Sequence, residues 1–166
     1  MKNPLRLLAA FMLATALARA ADTPPAPLLK PTADLKSWQF EETDGAKGAV
    51  KVDDGAFALT ATKVDYTDWH VQAFQAGLDL GEGKEYVLSF AARSSVKRVA
   101  QVYVGINEDD YHAVGLDEVL SLSSEWKSFT FTFKAEGVAA KNNRLGFIVG
   151  QETGTVWLKD VTLAPK

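Results

Sequence analysis

Short apolar–polar alternations run through the chain from Trp69 to Leu163, each closed by Gly, Asn or an acidic turn. They include Trp69-His70-Val71-Gln72 and the segments 86–93, 99–104, 126–133 and 144–149. Period-two alternation sends successive side chains to opposite faces of a strand. A close succession of such strands predicts a sandwich or barrel. The pattern predicts strands over 37–42, 49–52, 56–62, 68–75, 85–94, 98–106, 119–122, 126–134, 144–150 and 155–163. Asp53-Asp54-Gly55 between the second and third is a hairpin turn. Residues 77–84 form a glycine-rich turn, and 107–117 a long polar loop. Little helix is expected, with only 137–141 and the N-terminus able to supply it.

Parity then separates two faces. Phe129, Phe131 and Phe133 alternate with threonines, and Leu145, Phe147 and Val149 form a second such set, so both belong to the core. Tyr86, Leu88 and Phe90 follow the same rule. Burying an aromatic ring contributes about 1.5–3 kcal/mol, so aligned rings can replace absent disulfides. Truncating Phe131 to Ala is expected to cost roughly 3–5 kcal/mol. On 98–104, Ala100, Val102 and Val104 face one way, and Val99, Gln101 and Tyr103 the other.

The N-terminus belongs to none of this. Lys2 and Arg6 precede an apolar stretch from Leu7 to Leu17, and Ala18-Arg19-Ala20 fits a small-x-small cleavage site. Residues 1–20 therefore read as a secretory signal peptide cleaved after Ala20, too short to span a membrane. The product is expected to be secreted, periplasmic or on the cell surface, with no membrane association once the signal is gone. Residues 21–33 carry four prolines and read as an extended linker. The domain is assigned to 34–166, starting near Asp34 or Trp38.

Charge and cysteine content remove several function classes. The chain has 18 Lys and Arg against 21 Asp and Glu. Signal removal takes Lys2, Arg6 and Arg19 and no acid, which moves the net charge from −3 to −6. An acidic chain without a basic cluster is a poor nucleic-acid binder, and acidic polysaccharides are disfavoured for the same reason. There is no cysteine, so thiol catalysis and zinc–thiolate sites are excluded, and stability rests on the core or a metal.

Several segments together resemble the carbohydrate-binding modules of the family 4/9/22 group, the CenC-type domains found beside bacterial glycanases. They are Trp69-His70-Val71-Gln72, the Gly83 to Arg93 stretch with its G-x-x-Tyr-x-x-x-Phe-x-Ala-Arg pattern, and Glu125-Trp126 followed by Phe129 and Phe133. Residues 144–150 and 156–163 complete the likeness, which covers about Trp38 to Leu163. The resemblance implies an all-β fold: an antiparallel β-sandwich, a jelly roll with galactose-binding-domain-like topology. It implies non-catalytic binding of a polysaccharide or oligosaccharide, in a groove on the concave sheet, and association with glycan-degrading enzymes. It also implies a structural calcium, held by an Asp on the last strand. Here Lys159 stands at that position with Asp160 after it. Asp160 with Glu41 or Glu42 could still coordinate; alternatively the Lys159 ammonium replaces the ion and pairs with those acids. A bound calcium is therefore not the favoured expectation.

Sugar rings present C–H patches and an edge of hydroxyls, so a site needs an aromatic surface with planar polar groups on a rigid support. Gln101 and Tyr103 meet that demand. Arg93 ends the adjacent strand, Gln72 follows Trp69, Gln151 ends the 144–150 strand, and Tyr111 stands on a polar loop. Trp69, Gln72, Arg93, Gln101, Tyr103, Tyr111 and Gln151 are the expected ligand residues, for a neutral β-glucan or xylan. For Trp69 alone parity leans to the core, because it groups with Val71 opposite Gln72. Trp126 and Trp157 read as structural, Tyr86 as core, and His70 and His112 as solvated. A hydrolase or lyase would need a fixed carboxylate pair. Asp65, Asp68, Glu108, Asp109 and Asp110 have no such spacing, and G-x-S-x-G, H-E-x-x-H and P-loop motifs are absent. An extracellular interaction domain without sugar binding is the other alternative, because fold does not dictate function.

Overall fold

The structure, a computed structural model, describes residues 28–166. The signal segment, its cleavage site and most of the proline-rich stretch lie outside the described residues. Ten strands follow one another: β1 (Gln39–Glu42), β2 (Lys47–Asp53), β3 (Ala56–Lys63), β4 (Val71–Leu78), β5 (Glu85–Ser94), β6 (Arg98–Ile106), β7 (Ala113–Leu122), β8 (Lys127–Lys134), β9 (Asn143–Ile148) and β10 (Gly154–Pro165). They form two five-stranded antiparallel sheets, ordered β1-β4-β9-β6-β7 and β2-β3-β10-β5-β8. This is the two-sheet sandwich of the jelly-roll class. The helical content of the described residues is two 3-10 turns, Leu35–Ser37 and Asp68–His70; residues 137–141 form a turn instead of a helix.

The alternation has the meaning that parity gave it. Val156 and Leu158 of β10, Leu88 and Phe90 of β5, Ala100, Val102 and Val104 of β6, and Leu145 and Phe147 of β9 are all buried between the sheets. Phe147 reaches across from the first sheet to meet Phe90 edge-on, with centroids 5.2 Å apart. Trp38 stacks on Phe57 at 4.5 Å. The hairpin at Asp53-Asp54-Gly55 has φ of 50° at Asp54 and 74° at Gly55, the positive pair a two-residue type I′ turn requires.

Several features differ from the sequence reading. The strand placed at 119–122 begins at Ala113. Val114 and Leu116 continue the buried parity of Leu120 and Leu122, while Gly115 and Asp117 on the other face, with the exposed Glu118 interrupting the buried set, give the segment its loop-like composition. Residues 28–33, given to the linker, pack on the sandwich. Leu29 is buried, Gln75 holds Lys30 through both its backbone N–H and its carbonyl, and Thr32 accepts a hydrogen bond from the Val161 amide. Finally, β8 is an edge strand. Phe129 and Phe131 face inward as predicted but are only half-buried, and only Phe133 is fully enclosed.

Candidate functional site

The outward face of the first sheet is built by its register. One row across it reads Glu41, Gln72, Ile148, Gln101 and Val119; the next reads Gln39, Phe74, Gly146, Tyr103 and Asp117. All have the parity opposite to the core. Gly146 makes the second row possible. A Cβ there would collide with the Tyr103 ring, so the phenol lies flat across β9 and its hydroxyl donates to Gln72 Oε1 at 2.9 Å. Gln72 Nε2 in turn donates to Glu41 at 3.1 Å, and Gln101 Nε2 donates to Asp117. The result is a floor of oriented amides and one phenol.

Arg144, one register step along β9, lies against three rings. Its guanidinium carbon is 4.5 Å from the Phe74 centroid, 5.2 Å from Tyr103 and 4.9 Å from Tyr111. Tyr111 comes from the β6–β7 loop and is 54% exposed. At the other end, where β4 begins, Trp69 is 46% exposed. These groups, with Ala113, enclose a groove of about 450 Å³. Tyr103 is only 6% exposed. Burial, followed by the neighbouring Glu41 carboxylate, pushes its hydroxyl up to about 12, against the opposing pull of Arg144.

The groove thus gathers Trp69, Gln72, Gln101, Tyr103 and Tyr111. Trp69 is not a core residue: it sits in the Asp68–His70 turn, where strand parity has no force. His70 beside it is buried, not solvated. Its Nδ1 meets Asp65 Oδ2 at 2.7 Å and its Nε2 lies 3.7 Å from Asp44. That hydrogen bond holds the Asp65 carboxyl below its ordinary value. Trp69 packs edge-on against the imidazole at 4.2 Å, so the turn is fastened beneath the exposed indole. His112, by contrast, is exposed as read, bonded to Asp110 and to the Gly137 carbonyl.

Two of the expected ligand residues lie elsewhere. Gln151 is beyond β9, in a separate shallow recess with Tyr66, Thr67, Asp68 and Trp69. Arg93 is on the second sheet, between Trp126 and Trp157, and does not line the groove. Sequence reading missed Arg144 and placed Glu41 at a metal. Parity could have found Arg144, which is out of phase with Leu145 and Phe147 on the same strand.

The calcium arrangement does not fit these residues. Glu41 is in the groove with Gln72, Glu42 is bonded to Lys47 and to the Gly48 amide, and Asp160 lies exposed on β10 of the other sheet. Lys159 does not pair with those acids; its ammonium lies 4.3 Å from the Trp126 centroid. The cluster Asp44, Asp65 and His70 holds three ligand-type atoms within 4.8 Å of one another. It offers two carboxylates, short of the roughly six to eight oxygens calcium takes.

The family model described as "Carbohydrate binding domain", of the CBM4/CBM9 type, matches residues 32–155. The chain belongs to this family. The module is a carbohydrate-binding domain, not a hydrolase or lyase. It is similar to a solved CBM4 module at 26% identity and a TM-score of 0.72, covering 85% of this chain and 95% of that one. It shares its fold with the N-terminal cellulose-binding domain of Cellulomonas fimi β-1,4-glucanase C (24% identity, TM-score 0.66, 85% and 97% covered). The same fold occupies part of the chain that holds the CBM22-1–GH10 modules of Clostridium thermocellum xylanase 10B, a structure complexed with xylohexaose (17% identity, TM-score 0.57, 84% of this chain and 28% of that one covered). No curated protein matches the module. Among the described residues, no helix is long and apolar enough to cross a membrane.

Proposed function

We propose that the module binds a neutral β-glycan chain, of β-glucan or xylan type, in the groove of the first sheet. The observation that carries this reading is the run of Trp69, Gln72, Tyr103, Arg144 and Tyr111 along one open depression. Trp69 and Tyr111 offer exposed ring faces for the C–H patches of a pyranose. Gln72 and Gln101 are oriented by Tyr103 and Asp117, so little amide freedom is lost when sugar hydroxyls arrive. Glu41 and Asp117 accept hydrogen bonds from sugar hydroxyls, and their charge disfavours an anionic chain in the same groove. The export signal read from residues 1–20 suits a protein that meets its glycan outside the cytoplasm, beside enzymes that degrade it.

Affinity gel electrophoresis against soluble β-glucans, xylans and a uronate polymer tests the reading. Retardation by a neutral β-glycan is expected. Trp69→Ala should weaken it by roughly tenfold or more, because truncation removes a stacking face, while melting temperature changes little. No retardation by any neutral β-glycan, or full retention of binding in both Trp69→Ala and Tyr103→Ala, would sink it.

A further inference from the structure

We propose that the outer face of the second sheet carries a separate site for a uronic-acid unit of a glycan, centred on Arg93. Three outward side chains stand in a row across adjacent strands. Trp157 is paired in register with Arg93, and Trp126 immediately precedes Lys127, the partner of Ala92. The guanidinium carbon lies 4.5 Å from the Trp157 centroid and 5.2 Å from that of Trp126. Lys159, the next outward position on β10, places its ammonium 4.3 Å from Trp126. The Trp157 indole N–H donates to Asp53 at 2.8 Å, which fixes the ring. Trp126 is 39% exposed.

Two cations on this face are thus partnered by π surfaces. Among the described residues, neither Arg93 nor Lys159 meets a carboxylate within 4.0 Å. The nearby acid Asp53 is occupied by Trp157 and Lys51. Arg93 Nε is buried without a hydrogen-bond partner. A guanidinium flanked by two indoles is held in place, and its planar fork matches a carboxylate in bidentate fashion. The exposed indole beside it suits the C–H face of a pyranose. Carboxylate and ring are joined in a uronic acid. Lys159 adds a second positive charge, which singles out the anion from a neutral sugar. The net negative charge of the chain does not oppose this, because distant charges are screened beyond about 10 Å at moderate salt.

The test is titration of the full chain with oligomers of galacturonic and glucuronic acid and with their carboxyl-reduced neutral counterparts, following indole N–H signals by NMR. The expected result is that a uronate oligomer shifts Trp126 and Trp157, with affinity falling severalfold as salt rises. Arg93→Gln and Trp126→Ala should weaken it at least tenfold while neutral β-glycan binding in the groove is unchanged. Tyr103→Ala should do the reverse. Trp126→Ala carries the result alone should Arg93→Gln misfold. Absence of binding by both uronates, equal binding of the reduced oligomers, or loss on Tyr103→Ala but not on Trp126→Ala would overturn the site. Groove binding is measured on the same samples, so the two readings fail separately.

Discussion

Tyr103 holds its hydroxyl against Gln72 with the ring enclosed, so ionising it would strand a charge in a dry place. Removing that hydroxyl strands an acceptor instead. Tyr103→Phe leaves Gln72 Oε1 unmatched in a residue that is itself buried, a cost of about 1–3 kcal/mol. Thermal denaturation should show a drop of several degrees, and the glycan affinity should fall with it because Gln72 loses its orientation. The same residue shows what sequence can and cannot deliver. Parity placed Tyr103 and Gln101 on the outward face correctly. It could not reveal that Tyr103 lies down over Gly146, because that depends on a side chain missing from the neighbouring strand, β9.

At the scale of elements, the Asp68–His70 turn presents the exposed indole. Its fastening is His70, held between Asp65 and Asp44 and packed against Trp69. His70→Ala should lower glycan affinity severalfold in a binding assay although the imidazole itself is outside the groove. His70→Gln, which can still donate to Asp65, should recover part of it. Edge position governs the aromatic strand in the same way. Phe147→Ala, deep between the sheets, should cost roughly 3–5 kcal/mol in denaturant unfolding. Phe131→Ala on edge strand β8 should cost clearly less, because its ring is only half-buried. Alternation in sequence reveals which way a ring points, whereas its depth follows from strand order, which no local pattern encodes. The long loop read at 107–117 failed for a related reason. Gly115 and Asp117 on the solvent face of β7 hid the buried Val114 and Leu116.

For the whole molecule, the titrating groups bound a pH window. Asp65, Asp53 and Glu42 have carboxyls held below their ordinary values, chiefly by hydrogen bonds from His70, Trp157 and Lys47 respectively. A depressed carboxyl contributes stability that is present above its unfolded value and is lost as pH falls through the folded one. Tyr103 acts with the opposite sense. Its raised value, about 12, means the unfolded chain releases that proton first, so stability is full below the ordinary tyrosine value and is lost as pH rises toward 12. Melting temperatures should therefore decline below about pH 5 and above about pH 10, with a small step between them as His112, whose imidazolium is favoured by the Gly137 carbonyl and then by Asp110, gives up its proton. In Tyr103→Phe the alkaline decline should be shallower. A chelator should leave the curve in place, since Glu41, Asp160 and Lys159 do not assemble a calcium site. The all-β architecture was legible in the strand pattern and its turns, and the family with its two-sheet sandwich in the resemblance carried by the Gly83–Arg93 and Glu125–Phe133 segments. The faces on which Arg93 and Glu41 come to lie were not, because sheet assignment is a property of strand order.

The floor of the groove rests on the absence of a single methyl group. Gly146 leaves the slot into which the Tyr103 ring reclines, and that ring in turn aims Gln72 and lies under Arg144. One added carbon at position 146 would lift the phenol into the space intended for sugar and release both partners together. The depth of this recognition surface is thus set by backbone, in the middle of a sheet, at a residue that need never touch the ligand. Relief on such a surface can be switched between furrow and plain by one substitution, without disturbing the interior that supports it.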